Sequence, residues 1–466
     1  MNTARDLPPV NIVLDQPELI ALRSRMGREA VLNVVRAVIG EARRRVNLGE
    51  VVNLDPATLA RQASGQLQAV RSGLRPVINA TGILLHTGLG RAPLARKAIE
   101  AVAEVARGYC NLEFDLERGE RGHRTSHVSE LLRRLSGAEA ATVVNNNAGA
   151  TVLALRALAL GREVIVSRGQ LIEIGGSFRL PDIFEVSGAK LVEVGTTNRT
   201  RIGDYERAIT PRTAVLLRVH PSNYKVVGFT ESVDIAELAM LAKAKGLKSI
   251  DDIGSGALKQ GMPPGVSGEP TVAEGLAAGA DLILGSGDKL LGGPQCGLLV
   301  GTREAIKQVE TDPLMRALRV DKMTLAALEA TLHLLFDPEI AARQIPLWAF
   351  LSTPLEAIRE RAEILARVFR SEMHLNAGVI ETTAFLGGGS IPQEPIPTFA
   401  VRLDAPWPAG IASEGAFAKA LRLGNPSVVL RIQGGGVLFD LRAVDPSQDS
   451  ILRECVRKLC GTGISM

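Results

Sequence analysis

The segment LILGSGDKLLGGPQCG, residues 282–297, places a lysine just past a run that reads as a buried strand. Lys289 is flanked by Gly285, Ser286, Gly287, Gly292 and Gly293, and residues this small let a planar ligand approach the backbone closely. A partly desolvated amine in such a setting can form a Schiff base with a carbonyl compound. Ser286, three residues earlier, can donate to a phosphate. A surface lysine in a glycine-rich turn would read the same, so a second feature has to decide. It comes from SIDDIGSG, residues 249–256, which sets Asp251 and Asp252 at the end of another strand, with Asp252 37 residues before the lysine. An acid there suits a pyridine nitrogen, which it keeps protonated and electron-withdrawing, as pyridoxal phosphate chemistry requires. Side chains alternate along a strand, so only one of the two aspartates can face a bound ring.

A third feature supplies a place for a phosphate. VVNNNAGATVLAL, residues 143–155, reads as strand, polar turn and helix, with Asn146, Asn147 and Ala148 at the helix start. The unpaired N–H groups and positive dipole end of a helix start favour an anion. The dinucleotide pattern G-x-G-x-x-G is absent, as is the lysine of a nucleotide-binding P-loop.

The elements around these residues follow a regular grammar. After residue 76, short apolar runs (EVIVSRG, KLVEVG, TAVLLRVH, LKSIDDIGSG, DLILGSGDK, CGLLVG) alternate with amphipathic stretches such as 234–245 and 303–335. This predicts βαβ units and a mainly parallel sheet covered on both faces. From about 345 onward, IPTFAVRL, SVVLRIQGGGVLFDLRAV and a closing helix over 446–460 predict a smaller α+β domain, and GGG at 387–389 and 434–436 reads as loops. The start differs. Residues 17–50 read as one helix with apolar positions Leu19, Leu22, Met26, Ala30, Val34 and Ala37, and Asp55-Pro56 opens a further helix to about 72. The predicted division is 1–75 helical, 76–335 catalytic α/β and 336–466 small α+β.

Length and charge fit this scheme. A chain of 466 residues accommodates roughly two to four domains. Residues 1–75 hold 11 arginines, no lysine and 7 acidic residues, while the remainder is balanced at 43 of each sign, so the whole net charge of +4 lies at the N-terminal end. That imbalance reads either as a solvated helical face or as a patch for a polyanion such as RNA. With 3% aromatic residues, the composition argues against a base-stacking sheet of the RNP type. The four cysteines lack zinc-type or redox spacing, with Cys455 and Cys460 read as packing residues, and His123 and His127, at i and i+4, have no supporting acid, so no metal is expected. MNTARDLPPV lacks a signal-peptide core and no apolar run reaches the ~18 residues of a membrane span. The expectation is a cytoplasmic protein without membrane contact.

The chain resembles the bacterial L-seryl-tRNA(Sec) selenium transferases, or selenocysteine synthases. The resemblance is carried by NATGILLHTGLGRAPL (79–94), LERGERGHR (116–124), NNNAGA (145–150), SRGQLIEIGGSFRLPDI (167–183), EVGTTNRT (193–200), DDIGSG (251–256) and SGDKLLGGPQCG (286–297), and it is densest over 76–325. Cys296 stands where alanine is more usual. The resemblance implies a fold-type-I pyridoxal 5'-phosphate enzyme with an N-terminal tRNA-contacting domain, assembled as a homodecamer, a pentamer of dimers. It implies Lys289 as cofactor carrier, Asp252 as the pyridinium partner with Asp251 as fallback, and Arg91, Arg316 and Arg319 as ligands for the anion of selenophosphate. Arg316 and Arg319, three apart, would share a helix face. The implied reaction converts L-seryl-tRNA(Sec) to L-selenocysteinyl-tRNA(Sec) through an aminoacrylyl stage. Two rivals are a pyridoxal enzyme acting on a free amino acid, which leaves the arginine-rich N-terminal helices without a use, and a tRNA-binding protein with a dead cofactor site, which leaves the lysine and paired aspartates without one.

Overall fold

The computed structural model describes residues 6–69, 73–174, 178–221, 224, 226–266, 268–388 and 395–461. Met1–Pro76 and Val77–Met466 form two compact units. Among the described residues no helix is long and apolar enough to cross a membrane.

The first unit contains α1 (Val10–Leu14), α2 (Pro17–Met26), α3 (Arg28–Asn47) and α4 (Pro56–Ala69). The single helix expected over 17–50 is two. Gly27 sits between them at φ +85°, a conformation that ends a right-handed helix and that glycine adopts without steric cost. The break also shifts the apolar stripe: α3 buries Val31, Val35, Val38, Ile39, Ala42 and Val46, while the expected Ala30 and Ala37 face solvent. Leu19, Leu22, Leu59 and Ala63 complete this core. Asp55 starts α4 by accepting the Thr58 N–H at 3.0 Å. The expected end of that helix near 72 lies outside the described residues, as do 175–177 of the 167–183 motif and Gly389 of the first GGG.

The second unit is built on two sheets. Its strands in chain order are β1 (Val77–Ala80), β2 (Ala140–Val144), β3 (Glu163–Ser167), β4 (Lys190–Val194), β5 (Thr213–Val219), β6 (Lys248–Gly254), β7 (Leu282–Ser286), β8 (Gly297–Gly301), β9 (Asn376–Phe385), β10 (Pro395–Asp404), β11 (Ser427–Gln433) and β12 (Gly436–Asp440). The large sheet has the order β2-β8-β7-β6-β5-β3-β4 and is parallel except for β8, which runs antiparallel to β7 and β2. Both faces are apolar, as a sheet covered on two sides demands. Val166, Leu217, Ile250 and Leu284 pack with the helix Asn147–Ala159, and Ile165, Leu216, Ile283 and Val300 join a separate cluster on the other side.

The small sheet has the order β1-β11-β12-β10-β9, and Ile358, Phe369, Val401, Phe417 and Phe439 form its core. Its edge strand β1 pairs in parallel with β11. The sequence division at 336 therefore needs amending in two ways: Val77–Ala80 joins the small sheet, and residues 345–350 pack with the large one through Ile345, Leu347, Trp348 and Phe350. Gly434 and Gly435, both at positive φ, form the two-residue β11–β12 hairpin turn, while Gly436 belongs to β12. The expected helix over 303–335 is three pieces, Arg303–Thr311, Leu314–Ala317 and Lys322–Leu334.

Between β7 and β8 the chain loops out over residues 287–296, and this loop carries Lys289. It is closed by Gly287 N–H to the Cys296 carbonyl (2.9 Å) and Gly293 N–H to the Gly287 carbonyl (2.9 Å). Trp348, 2% exposed, donates Nε1–H to the Leu290 carbonyl at 2.8 Å. Trp348→Ala should therefore cost about 3–5 kcal/mol, the range for truncating a buried aromatic. A urea titration should show the lower midpoint.

Candidate active site

The parallel strands β5, β6 and β7 end side by side, and residues at or just beyond their carboxyl ends converge, where open α/β sheets place their ligands. Lys289 lies there, 6% exposed. Burial lowers its pKa, and the Arg91 charge lowers it further, while Asp252, Asp288 and Glu269 act in the opposite sense.

The two aspartates of β6 face opposite sides of the sheet. Asp252 turns toward the helix Asn147–Ala159. It accepts Asn147 Nδ2–H at 2.9 Å, Thr151 Oγ1–H at 3.0 Å and its own loop's Gly254 N–H at 3.1 Å. Burial raises its pKa against those bonds and the Lys289 charge. Asp251 is fully buried on the other face, clamped by Arg218 through Nε and Nη2, both at 2.7 Å. Its pKa too is raised by burial, against the pull of Arg218.

The helix start expected to take an anion is present. Asn146 caps it by accepting the Gly149 N–H at 2.7 Å, and Asn147 and Ala148 open the first turn, whose N–H groups have no partner within a helix. Asn147 spends its amide N–H on Asp252, and its Oδ1 is buried without a hydrogen-bond partner among the described residues. Ser286 ends β7 and is buried. Gly256, at φ +72°, lies so close to the Ser286 carbonyl that a Cβ there would collide with it.

The three arginines come from two segments, Arg91 just after Gly90 and Arg316 and Arg319 beyond Pro313. Arg91 pairs with Asp288, next to Lys289 in the chain, at 3.0 Å, and is itself held at φ +62°. Arg319 reaches Glu113 at 3.4 Å, a carboxylate also bound by Arg124 and Arg121. Those two arginines, by hydrogen bonds, hold the Glu113 carboxyl below its ordinary pKa. Arg316 and Arg319 do not share a helix face, because the helix ends at Ala317 after a single turn begun at Pro313. Leu318 between them accepts the Asn145 N–H at 3.0 Å, which ties this loop to the residues just before the helix Asn147–Ala159. Cys296 is fully buried and its thiol is pushed up to about 12, chiefly by burial.

Several residues at this crest escape a sequence reading: Thr151, Arg218, His220, Glu269 and Asp288. His220 had a usable signal, since it directly follows the strand TAVLLRV. Its N–H donates to the Asp252 carbonyl at 2.9 Å, and its Nε2 lies 3.9 Å from Glu269 Oε1. Beside it opens a cavity of about 670 Å³ whose wall includes Gln170, Asn198, Arg199, Tyr224 and Val227.

Comparisons with known proteins agree with this architecture. Residues 77–445 match the family model described as L-seryl-tRNA selenium transferase, and residues 4–43 match that described as selenocysteine synthase N terminal. The L-seryl-tRNA(Sec) selenium transferase of Moorella thermoacetica is 47% identical over 464 residues, covering 99% of this chain and 98% of the relative. That of Methylocella silvestris is 46% identical over 443 residues, covering 94% of each. Among solved structures, D-glucosaminate-6-phosphate ammonia-lyase superposes with a TM-score of 0.57 at 19% identity, covering 84% of this chain and 98% of that one. The fold is that of the type-I pyridoxal-phosphate-dependent transferases, as the sequence led us to expect. Within that class, the chain belongs to the L-seryl-tRNA selenium transferase family.

Burial of His220 lowers its pKa to about 4, with Arg218 and Lys289 adding to the effect. An unfolded chain takes up that proton near pH 6.5, while the folded one resists until about pH 4. Stability therefore rises with pH through this window, is fully present above it and is lost as pH falls through it. His220→Asn should remove about 2–3 kcal/mol of that pH dependence. Urea unfolding of both proteins at several pH values between these limits should show the flatter profile in the variant.

Proposed function

We propose that this enzyme converts L-seryl-tRNA(Sec) to L-selenocysteinyl-tRNA(Sec), holding pyridoxal 5'-phosphate on Lys289 and taking selenium from selenophosphate. The observation that carries the reading is that Lys289, just beyond one strand, and Asp252, near the end of the neighbouring strand, are both buried, in a chain of this family. The donor set fits the cofactor. Asp252 suits the ring nitrogen, the helix start at Asn147 and Ala148 with Ser286 suits the phosphate, and the Lys289 amine suits the aldehyde. The unpartnered Asn147 Oδ1 is an acceptor at the same place. When bound, the cofactor supplies an electron sink for charge developing at Cα of the seryl group.

The protein's own residues do the rest. Burial and Arg91 favour the neutral form of Lys289, whose Nζ can then accept the Cα proton as a general base. Asn147 and Thr151 fix the Asp252 carboxylate so that it stays aimed at one atom. Asp251 takes no part in this, since its carboxylate is committed to Arg218 on the far face. At Cβ the C–O bond breaks, its hydroxyl taking up a proton and leaving as water. A C–Se bond then forms at Cβ, the donor's Se–P bond being broken by water with release of phosphate, and Cα regains a proton. Arg91, Arg316 and Arg319 hold the anionic selenium donor, for which the guanidinium fork and permanent charge are suited. The Leu318–Asn145 bond supports this by keeping the 316–319 loop at the anion-binding helix. The homodecamer belongs to the same reading.

Purified protein, given seryl-tRNA(Sec) and selenophosphate, should form selenocysteinyl-tRNA, and Lys289→Ala should abolish it. Borohydride reduction and peptide mapping should place the pyridoxyl label on Lys289. Label on Lys259 or on Lys322, whose Nζ donates to the Val105 and Gly108 carbonyls, would refute the assignment.

The N-terminal helices are assigned to the tRNA. Arg25, Arg28, Arg36 and Arg43 are exposed while the apolar stripes of α2 and α3 are buried, so the charge is free to meet phosphates. Phosphate contacts position an RNA without reading its bases, leaving shape as the feature sensed. Protein lacking residues 1–76 should keep its cofactor absorbance and lose most of its affinity for seryl-tRNA, with a shallower salt dependence. Unchanged affinity in a titration at two salt concentrations would show the basic helices to be only a solvated face.

A further inference from the structure

The cavity beside His220 is used by none of the chemistry above, yet it opens at the carboxyl end of the strand next to the one that carries Asp252. Its wall includes His220 and Glu269, whose Nε2 and Oε1 lie 3.9 Å apart. His220 is also bonded through its N–H to the backbone of Asp252.

We infer that this cavity receives the 3'-terminal adenosine of the aminoacyl-tRNA, an inference that rests on the substrate proposed above. In that substrate only the ester carbonyl separates Cα from the terminal ribose. A seryl Cα placed at Lys289 therefore keeps the ribose close to these strand ends, where this cavity opens, with the base just beyond. The volume, about 670 Å³, falls in the roughly 300–1,000 Å³ range of small-molecule sites. The lining suits a nucleoside. Val226, Val227 and Val233 offer apolar surface, while Thr197 and Thr230 offer hydrogen-bonding groups for a base edge and ribose hydroxyls, beside Gln170 and Asn198, whose amides already bond the Val219 N–H and the Phe229 carbonyl. Unstacked bases lie on aromatic rings and on arginine planes. Here Tyr224 is anchored by its hydroxyl to the Gly169 carbonyl, and Arg199 lies 5.9 Å from the Phe229 ring centroid.

Charge selects between a nucleoside and a free nucleotide. Arg218 is clamped by Asp251, Glu231 is paired with Arg201 at 3.0 Å, and Asp234 caps a helix by accepting the Glu237 N–H at 2.9 Å. With Glu269 also in the wall, the cavity offers no cluster of cations for a polyphosphate. An uncharged nucleoside at the end of a chain, its phosphate directed outward, fits this balance.

The test uses the full-length holoenzyme and a serine–adenosine conjugate in which an amide nitrogen replaces the ester oxygen, so that it binds without hydrolysing. Serine amide is the control without a nucleoside. Two variants alter two loops of the wall, Asn198→Ala and Val227→Trp, both at solvent-exposed positions. The conjugate should bind the parent enzyme roughly tenfold or more tighter than serine amide, and both variants should lose most of that advantage. Their cofactor absorbance and their response to serine amide should match the parent, which shows that they are folded and loaded. Conjugate affinity within about twofold of the parent in both variants, or no advantage over serine amide in the parent, overturns the inference. Conversion of seryl-tRNA(Sec) by the parent is measured alongside. If it occurs, the substrate reading stands whichever way the conjugate behaves; if it does not, that reading fails and the inference with it.

Discussion

The site depends on holding an amine and a carboxylate together out of water. Lys289 and Asp252 are both buried, and burial pushes each toward its neutral form, the lysine pKa down and the aspartate pKa up. Their mutual attraction works against both shifts. Removing an ionised group from water costs several kcal/mol unless hydrogen bonds compensate. For Asp252 the compensation is specific: two side-chain donors from one helix and one backbone N–H. For Lys289 it is a ring of nearby charge, with Asp288 and Glu269 offsetting Arg91. Neither group could stay there if the other elements were not rigid, which accounts for the close packing of small residues around the 287–296 loop. At Gly287 a Cβ would collide with the Cys296 sulfur, and at Gly297 with the Asn146 carbonyl.

Adjacent aspartates with opposite environments show how strand geometry divides labour. Register pairs Asp251 with Arg218 and Asp252 with Val219 on β5. Asp251 therefore meets a cation, whereas Asp252 meets an apolar neighbour and must find its partners on the covering helix. The bidentate Arg218 clamp satisfies a buried charge inside the sheet and locks β5 to β6. That clamp also fixes the strand that His220 follows, so one ion pair steadies both the aspartate next to it and the cavity wall.

Much of this was legible from residue order alone, where the signal was local. Each of the six apolar runs from EVIVSRG to CGLLVG contains a strand, and the glycine-flanked lysine and paired aspartates sit at strand ends. The choice between Asp251 and Asp252 was not legible, because it is decided by Arg218, Asn147 and Thr151, which are far away in the chain. The antiparallel direction of β8 was equally hidden: a buried apolar run looks the same in either direction. The same holds for β1, whose partner β11 lies near the other end of the chain. The split at Gly27 and the early end of the helix at Ala317 were local, but periodicity runs past such breaks when apolar residues continue on both sides. The cavity beside His220 is assembled from several loops at the crest of the sheet, and no single segment carries its signature.

The small sheet has its own part in the site. From β1 the chain passes along residues 81–91, and the backbone of this strap is bonded to the end of β9: Leu84 N–H to the Phe385 carbonyl at 3.0 Å, Leu85 N–H to the Leu386 carbonyl at 2.7 Å, and Phe385 N–H to the Gly82 carbonyl at 2.8 Å. Gly82, at φ +78°, rests directly on the buried Asp440, where any side chain would collide. The strap ends at Arg91, whose φ of +62° is unusual for a residue with a Cβ and carries a steric cost of order 1–3 kcal/mol. Glycine would remove that cost and would also remove the guanidinium that reaches Asp288. The strain persists because the next residue is tied down as well, with Ala92 N–H donating to the Asp288 carbonyl at 3.3 Å. The arginine is thus held between a strap rooted in one sheet and a loop rooted in the other. Any displacement of the small sheet would be felt first at the Arg91–Asp288 pair, and through it by the adjoining Lys289.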